Sequence, residues 1–159
     1  MSLNLYIFDI DGTLTTTKSG ATFRATADDW QWLPGRLEKL LELRAQGVQI
    51  ALATNQAGVA FPWSKYSEAQ IQAQIDIVAA TVSACYVGVC YSTPNPKALP
   101  EYHNPNDERR KPNPGLLIEA MHYCGVSAQE TLFIGDMESD EQAAQTAGCH
   151  YATAEGFFS

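Results

Sequence analysis

The chain has 159 residues, enough for one domain with a substantial core, and 45% of them are hydrophobic, which is ordinary for a globular protein. Its formal net charge of −8 opposes a broad electrostatic grip on nucleic acid. No apolar run approaches the ~20 residues that a bilayer span needs, and no basic stretch precedes the first apolar run, so neither a membrane segment nor a secretory leader is expected.

Residues 3–8, Leu-Asn-Leu-Tyr-Ile-Phe, read as a buried strand. Pro34-Gly35 then precedes Leu37, Leu40, Leu41 and Leu43, an amphipathic helix that stops at Gly47. Val48 to Ala53 is an apolar strand, and Ser67-Glu68 opens a helix with Ile71, Ile75, Val78 and Val82 at helical spacing. Tyr86 to Tyr91 reads as a third strand, Ser92 to Arg110 as one long loop rich in Pro and Asn, and Pro112 to Cys124 as a helix ended by Gly125. Thr131 to Ile134 is a fourth strand, Ser139 to Ala147 a helix ending at Gly148, and His150 to Thr153 a short last strand. This alternation with near-continuous apolar strands predicts an α/β fold: a parallel sheet covered by helices on both faces, in a single domain over residues 1–159. The four cysteines, Cys85, Cys90, Cys124 and Cys149, show no close pairing, which predicts reduced, buried thiols in a cytoplasmic protein.

In such sheets ligands bind beyond the carboxyl ends of the strands, and the polar motifs fall there. Asp9 and Asp11 end the first strand, followed by Gly12-Thr13; Thr54-Asn55-Gln56 follows the second, and Gly135-Asp136 the fourth. Two carboxylates that close repel, and a hard divalent cation with oxygen ligands, typically magnesium, resolves the repulsion. Six of the 18 acids, Asp9, Asp11, Asp136, Glu138, Asp140 and Glu141, lie in two short motifs, so part of the negative charge is expected to be local and compensated by metal. Taken singly, each motif has a plainer reading. Asp-Gly after a strand is often a turn, Thr54-Asn55 could cap a helix, Arg109-Arg110-Lys111 could be a solvated loop, and Asp140 and Glu141 could be favourable acids at a helix N-terminus. Their joint order is what singles them out.

Asp9-Ile10-Asp11-Gly12-Thr13, Thr54-Asn55, Lys111 and Gly135-Asp136-x-x-x-Asp140 resemble the four ordered motifs of haloacid-dehalogenase-type phosphatases, across the whole chain. The resemblance implies a Rossmann-like fold and hydrolysis of phosphate monoesters, among the slowest of uncatalysed reactions, through an aspartyl-phosphate. It implies Asp9 as nucleophile, Asp11 as general acid and then base, Thr54 and Asn55 as phosphate contacts, and Lys111 as a positive charge on the transferring group that also orients Asp9. It implies Mg2+ among Asp9, Asp11, Asp136 and Asp140. The two gaps where relatives insert a cap, after Thr13 and before Lys111, hold only about twenty residues each, too few for a cap of ordinary domain size. An open site is expected.

Within that superfamily, Thr54-Asn55-Gln56 and Arg110-Lys111-Pro112 resemble both the histidinol-phosphate and heptose-bisphosphate phosphatases and the phosphatase domain of polynucleotide kinase/3′-phosphatases. The first group often binds structural zinc through cysteines that this loop lacks; Cys90 and His103 alone do not make a tetrahedral site, so no structural zinc is expected. Thr16-Thr17-Lys18-Ser19-Gly20, Phe23, Asp28-Asp29-Trp30 and the ending Ala152-Thr153-Ala154-Glu155-Gly156-Phe157-Phe158 resemble the polynucleotide group more closely. That likeness implies a 3′-phosphate at a nucleic-acid end as the favoured substrate, with Lys18, Arg24, Trp63 and Arg110 as candidate contacts. A small phosphorylated metabolite is the alternative, and a phosphate-binding module without catalysis is a third. No Gly-x-x-x-x-Gly-Lys-Ser/Thr of a kinase half occurs.

Overall fold

A computed structural model describes residues 2–159. Its sheet is built from β1 (Leu5–Phe8), β4 (Gln49–Asn55), β5 (Tyr86–Cys90), β6 (Thr131–Gly135) and β7 (His150–Thr153), all parallel, in the order β5-β4-β1-β6-β7. Two further strands, β2 (Thr15–Thr16) and β3 (Gln31–Trp32), form a small antiparallel ribbon outside it. From central β1 the chain winds outward through β4 and β5, then crosses back to β6 and β7. The reversal lies at the carboxyl end of β1, where crevices form in sheets of this type.

Side chains alternate across the sheet with period two. Phe8, Ile50, Leu52 and Ile134 point to one face, packed by α1 (Arg36–Ala45), α2 (Glu68–Thr81) and α5 (Ala154–Phe158). Leu5, Ile7, Ala51, Ala53 and Phe133 point to the other, covered by α3 (Gly115–Cys124) and α4 (Glu138–Ala147). Ser67 starts α2 with a capping box: its hydroxyl accepts from the Gln70 N–H, and the Gln70 side chain accepts from the Ser67 N–H. Both faces are sealed, which accounts for strands that read as apolar throughout.

The structure departs from the expected elements in particular places. α3 starts at Gly115 rather than at Pro112, because the Gly115 N–H turns back to the Glu108 carbonyl and the Asn113 N–H to that of Arg110. Residues 92–110 are not slack. Asp107 accepts from the Ser92 hydroxyl and the Arg109 N–H, and Thr93 bridges to His103. The last residues form α5, which sets Phe157 and Phe158 edge-on and tilted against Phe8.

The expectation of four free thiols is corrected. Cys85, at the foot of β5, and Cys124, at the end of α3, form a disulfide, leaving Cys90 and Cys149 free. The partners are 39 residues apart and meet only because α3 packs on β5, so their spacing carried no signal. No helix among the described residues is long and apolar enough to cross a membrane.

Candidate active site

β1 delivers Asp9 to the carboxyl edge of the sheet, where the Asp9 N–H bonds the Ile134 carbonyl of the neighbouring strand. Asp9 is 7% exposed and meets an equally buried partner, Lys111, which is 4% exposed. The Lys111 ammonium donates to Asp9 Oδ1 at 2.9 Å, to Asp140 Oδ1 at 2.7 Å and to the Ala53 carbonyl at 3.1 Å, so its three protons are spent on three fixed acceptors. Asn55 brackets the lysine's main chain, with Nδ2 donating to the Lys111 carbonyl and Oδ1 accepting from the Lys111 N–H. An exchange of that kind registers the loop before α3 against the end of β4.

Asp140 sits in the first turn of α4, where a carboxylate is favoured by the helix dipole. Its Oδ2 accepts from the N–H groups of Asp136 and Met137. One ligand oxygen from each of Asp9, Asp136 and Asp140 lies within 4.8 Å of the others. Two glycines make this approach possible. A Cβ on Gly12, whose φ is +83°, would stand 2.1 Å from Asp136 Oδ2, and one on Gly135 would stand 2.5 Å from Asp140 Oδ2. The buried Thr13 hydroxyl lies 3.4 Å from both Asp9 and Asp136.

Three carboxylates gather beside one ammonium, which reaches two of them, and the electrostatics reflect that imbalance. Burial pushes the Asp9 carboxyl up, to about 8; Lys111 opposes the shift, while Asp140 and Asp136 add to it. Burial pulls the Lys111 ammonium down, but Asp9 and Asp140 outweigh burial and hold it above the ordinary lysine value. The donor set is all oxygen and short of positive charge, which fits a hard divalent cation. Asp136 Oδ2 is free for it, and Asp9 Oδ2 meets only the Thr13 hydroxyl at 3.4 Å. Asp140, with both oxygens engaged, stands behind them.

Asp11 is separate. Its carboxylate is not among the three whose oxygens gather, and it has partners of its own. Oδ1 accepts from Arg24 Nη2 at 2.9 Å, and Oδ2 from Gln56 Nε2 at 2.7 Å. Ile10, between the two aspartates, is fully buried. Gln56 also donates to Thr54 Oγ1 at 3.0 Å, tying the buried Thr54 hydroxyl to the side chain that holds Asp11. Gln56 was visible only as part of a motif, without a role, and Thr13 likewise.

Asp11, Asn55, Arg110 and Asp136 line a cleft of about 630 Å³, with Phe23, Phe61, Tyr66 and Met137 on its walls. The expected substrate contacts divide. Arg110 lines the cleft and donates to the Ser92 carbonyl. Arg24 lines it too, but its guanidinium is occupied by Asp11 and the Ala27 carbonyl. Lys18 is exposed and lies outside the lining. Trp63, 63% exposed, also lies outside, stacked face to face on Phe61 with ring centroids 4.8 Å apart.

The arrangement can present one carboxylate for attack, a separate one for proton transfer, and an acidic set around the first that can bind a metal. Comparison with known proteins points to phosphatases. The family described as Polynucleotide kinase 3 phosphatase matches residues 4–158. The chain is 31% identical over 121 residues to the D-glycero-beta-D-manno-heptose-1,7-bisphosphate 7-phosphatase of Photorhabdus laumondii, covering 76% of this chain but only 64% of that protein's length. It is 30% identical over 153 residues to the enzyme of the same description from Pseudomonas aeruginosa, covering 94% and 79%. The crystal structure of D,D-heptose 1,7-bisphosphate phosphatase from B. bronchiseptica, complexed with magnesium and phosphate, superposes with a TM-score of 0.71 at 26% identity, over 95% of this chain and 79% of that one. A HAD-superfamily hydrolase from Ehrlichia chaffeensis shares the fold at a TM-score of 0.66 and 17% identity, over 95% and 87%.

Proposed function

The chain belongs to the polynucleotide kinase 3 phosphatase family, within the haloacid-dehalogenase phosphatases, and on that footing we propose that it is a magnesium-dependent phosphomonoesterase that works through an aspartyl-phosphate on Asp9 and acts on a small phosphorylated sugar. The observation that carries the mechanism is the pairing of Asp9 with buried Lys111 beside an Asp11 held clear of it. Asp9 attacks phosphorus in line with the leaving oxygen. Lys111 holds the attacking carboxylate in one orientation and faces the transferring group with positive charge. Asp11 protonates the departing oxygen, then takes the proton of the water that opens the phosphoenzyme. Thr54 and Asn55, at the end of β4, are the phosphate contacts. A magnesium ion held by Asp9 and Asp136, with Asp140 behind, would offset the repulsion between carboxylates and phosphate.

The substrate reading rests on the cleft as well as the relatives. Its volume falls in the range of small-molecule sites, ~300–1,000 Å³. Only Arg24 and Arg110 are cationic along its lining, and Arg24 is tied to Asp11. A polynucleotide backbone needs several lysines or arginines to meet successive phosphates, and a chain of net charge −8 does not array them here. The heptose-phosphatase relatives therefore displace the nucleic-acid end as first choice. The polynucleotide reading stays as the second, favoured by the family match over residues 4–158. Comparing kcat/KM for a panel of sugar phosphates and bisphosphates with that for a 3′-phosphorylated oligonucleotide decides between them. The sugars are expected to lead, and the reverse ranking rejects the proposal.

A further inference from the structure

We propose that Arg24 is a positioning residue for the acid–base carboxylate: the folded excursion of residues 17–30 exists to return its guanidinium to Asp11. The inference rests on the reading of Asp11 given above. Arg24 is 8% exposed despite sitting in a segment without regular structure. Its head is fixed from its own segment, with Nη1 donating to the Ala27 carbonyl at 2.9 Å, and reaches Asp11 Oδ1 with Nη2 at 2.9 Å. Gln56 takes the other oxygen, Asp11 Oδ2, from the end of β4. Each oxygen thus has one donor, and the two donors come from different parts of the chain. That arrangement fixes both the plane and the direction of the carboxyl group.

The excursion is built to hold this geometry. Asp29 is its internal anchor, accepting from the Ser19 N–H at 2.9 Å, the Ser19 hydroxyl at 2.7 Å and the Ala25 N–H at 2.9 Å. Next in the chain, Trp30 ties the segment to α2 through its indole N–H, which donates to Gln74 Oε1. The sequence suggested a phosphate contact for Arg24, but the two nitrogens that reach other groups are already engaged at good distances.

The chemistry shows what positioning contributes. As an Asp9 oxygen bonds to phosphorus, the bond from phosphorus to the leaving oxygen breaks, and the Asp11 proton passes to that oxygen. The alcohol leaves neutral and Asp11 becomes a carboxylate, the form a guanidinium pairs with. Water then bonds to phosphorus and gives its proton to Asp11, and the bond to Asp9 breaks, releasing inorganic phosphate. A misdirected Asp11 harms the first step in proportion to how much the leaving group needs a proton.

The test is therefore leaving-group dependence in kcat/KM, which covers events up to formation of the phosphoenzyme. A primary alkyl phosphate needs the proton; p-nitrophenyl phosphate does not. Asp11→Asn should raise the aryl-to-alkyl ratio by about a hundredfold or more relative to wild type, and Arg24→Met by about tenfold or more. Arg24→Lys, which keeps the charge but loses the planar fork whose separate nitrogens meet Ala27 and Asp11, should fall between wild type and Arg24→Met, and it carries the comparison if Arg24→Met does not fold. Equal losses on both substrates in the Arg24 variants, or no loss on either, overturn the inference. If Asp11→Asn leaves the ratio unmoved, the acid–base reading of Asp11 falls and the inference with it. If Asp11→Asn moves it and the Arg24 variants do not, the inference alone falls.

Discussion

Lys111→Met is the most revealing single perturbation, because it keeps an unbranched side chain only one atom shorter and removes the charge with its three hydrogen bonds. The ammonium stands 2.9 Å from Asp9 Oδ1 and 2.7 Å from Asp140 Oδ1. At an effective dielectric of about 20 each contact represents roughly 6 kcal/mol of gross attraction, most of it offset by the cost of burying the ions. Breaking a buried pair from one side typically costs about 3–5 kcal/mol, since the partner is left charged and unmatched. Two partners are stranded here, so a loss toward the upper part of that range is expected. For a domain of this size each kcal/mol moves Tm by about 2–4 °C, which places the metal-free variant roughly 10 °C or more below wild type. Scanning calorimetry with chelator and again with excess magnesium reads both halves of the reasoning. Magnesium should raise the Tm of Lys111→Met more than that of wild type, because the cation no longer competes with an ammonium for Asp9. Activity should stay down by about a hundredfold or more even with magnesium. A metal-free Tm within about 2 °C of wild type would refute the idea that Lys111 holds the acidic cluster together.

Gly12→Ala puts a methyl group 2.1 Å from Asp136 Oδ2 at a φ of +83°; displacing that carboxylate by about 1 Å should lower kcat/KM roughly a hundredfold and raise the magnesium concentration needed for half activity, as steady-state kinetics across a magnesium series will show. Asp29 is held down at about 2, chiefly by the Ala25 N–H and the Ser19 hydroxyl. A carboxyl depressed below its unfolded value of about 3.9 contributes stability above that pH and loses it as pH falls toward 2. Thermal melts from about pH 5 to pH 2 should therefore fall less steeply for Asp29→Asn than for wild type, whereas parallel curves would remove Asp29 as the anchor of residues 17–30. The disulfide predicts two titratable thiols in the unfolded, unreduced chain and four after reduction. By loop-closure entropy over its 39-residue separation, Cys124→Ser should cost up to about 4 kcal/mol in denaturant unfolding.

How much could be read before the structure depended on whether the signal was local. β1, β4, β5 and β6 announce themselves as largely apolar runs, because a parallel sheet covered on both faces leaves no polar face to confuse the pattern. Asp9, Lys111, Asp136 and Asp140 stand in ordered motifs, and the structure brings those four side chains together. Contacts that only the packing creates were not legible. Arg24 looked like a free cation near a motif, and nothing in its neighbours told that residues 17–30 fold around Asp29 and aim it at Asp11. Asp11 lies two residues from Asp9, yet its carboxylate meets Arg24 and Gln56, partners that only packing brings to it. Cys85 and Cys124 meet through the docking of α3 on β5. The two-residue strands β2 and β3 were too short for any period to show.

The central claim is a covalent phosphoenzyme on Asp9, and acid quenching during turnover tests it most directly. With magnesium and a saturating phosphate ester, the quenched protein should carry one phosphoryl group, located by peptide mass spectrometry on the peptide containing Asp9 and lost on treatment with hydroxylamine, as an acyl phosphate must be. Asp9→Asn should show neither the adduct nor turnover. Sustained turnover by Asp9→Asn, or an adduct mapped to another residue, would contradict the account.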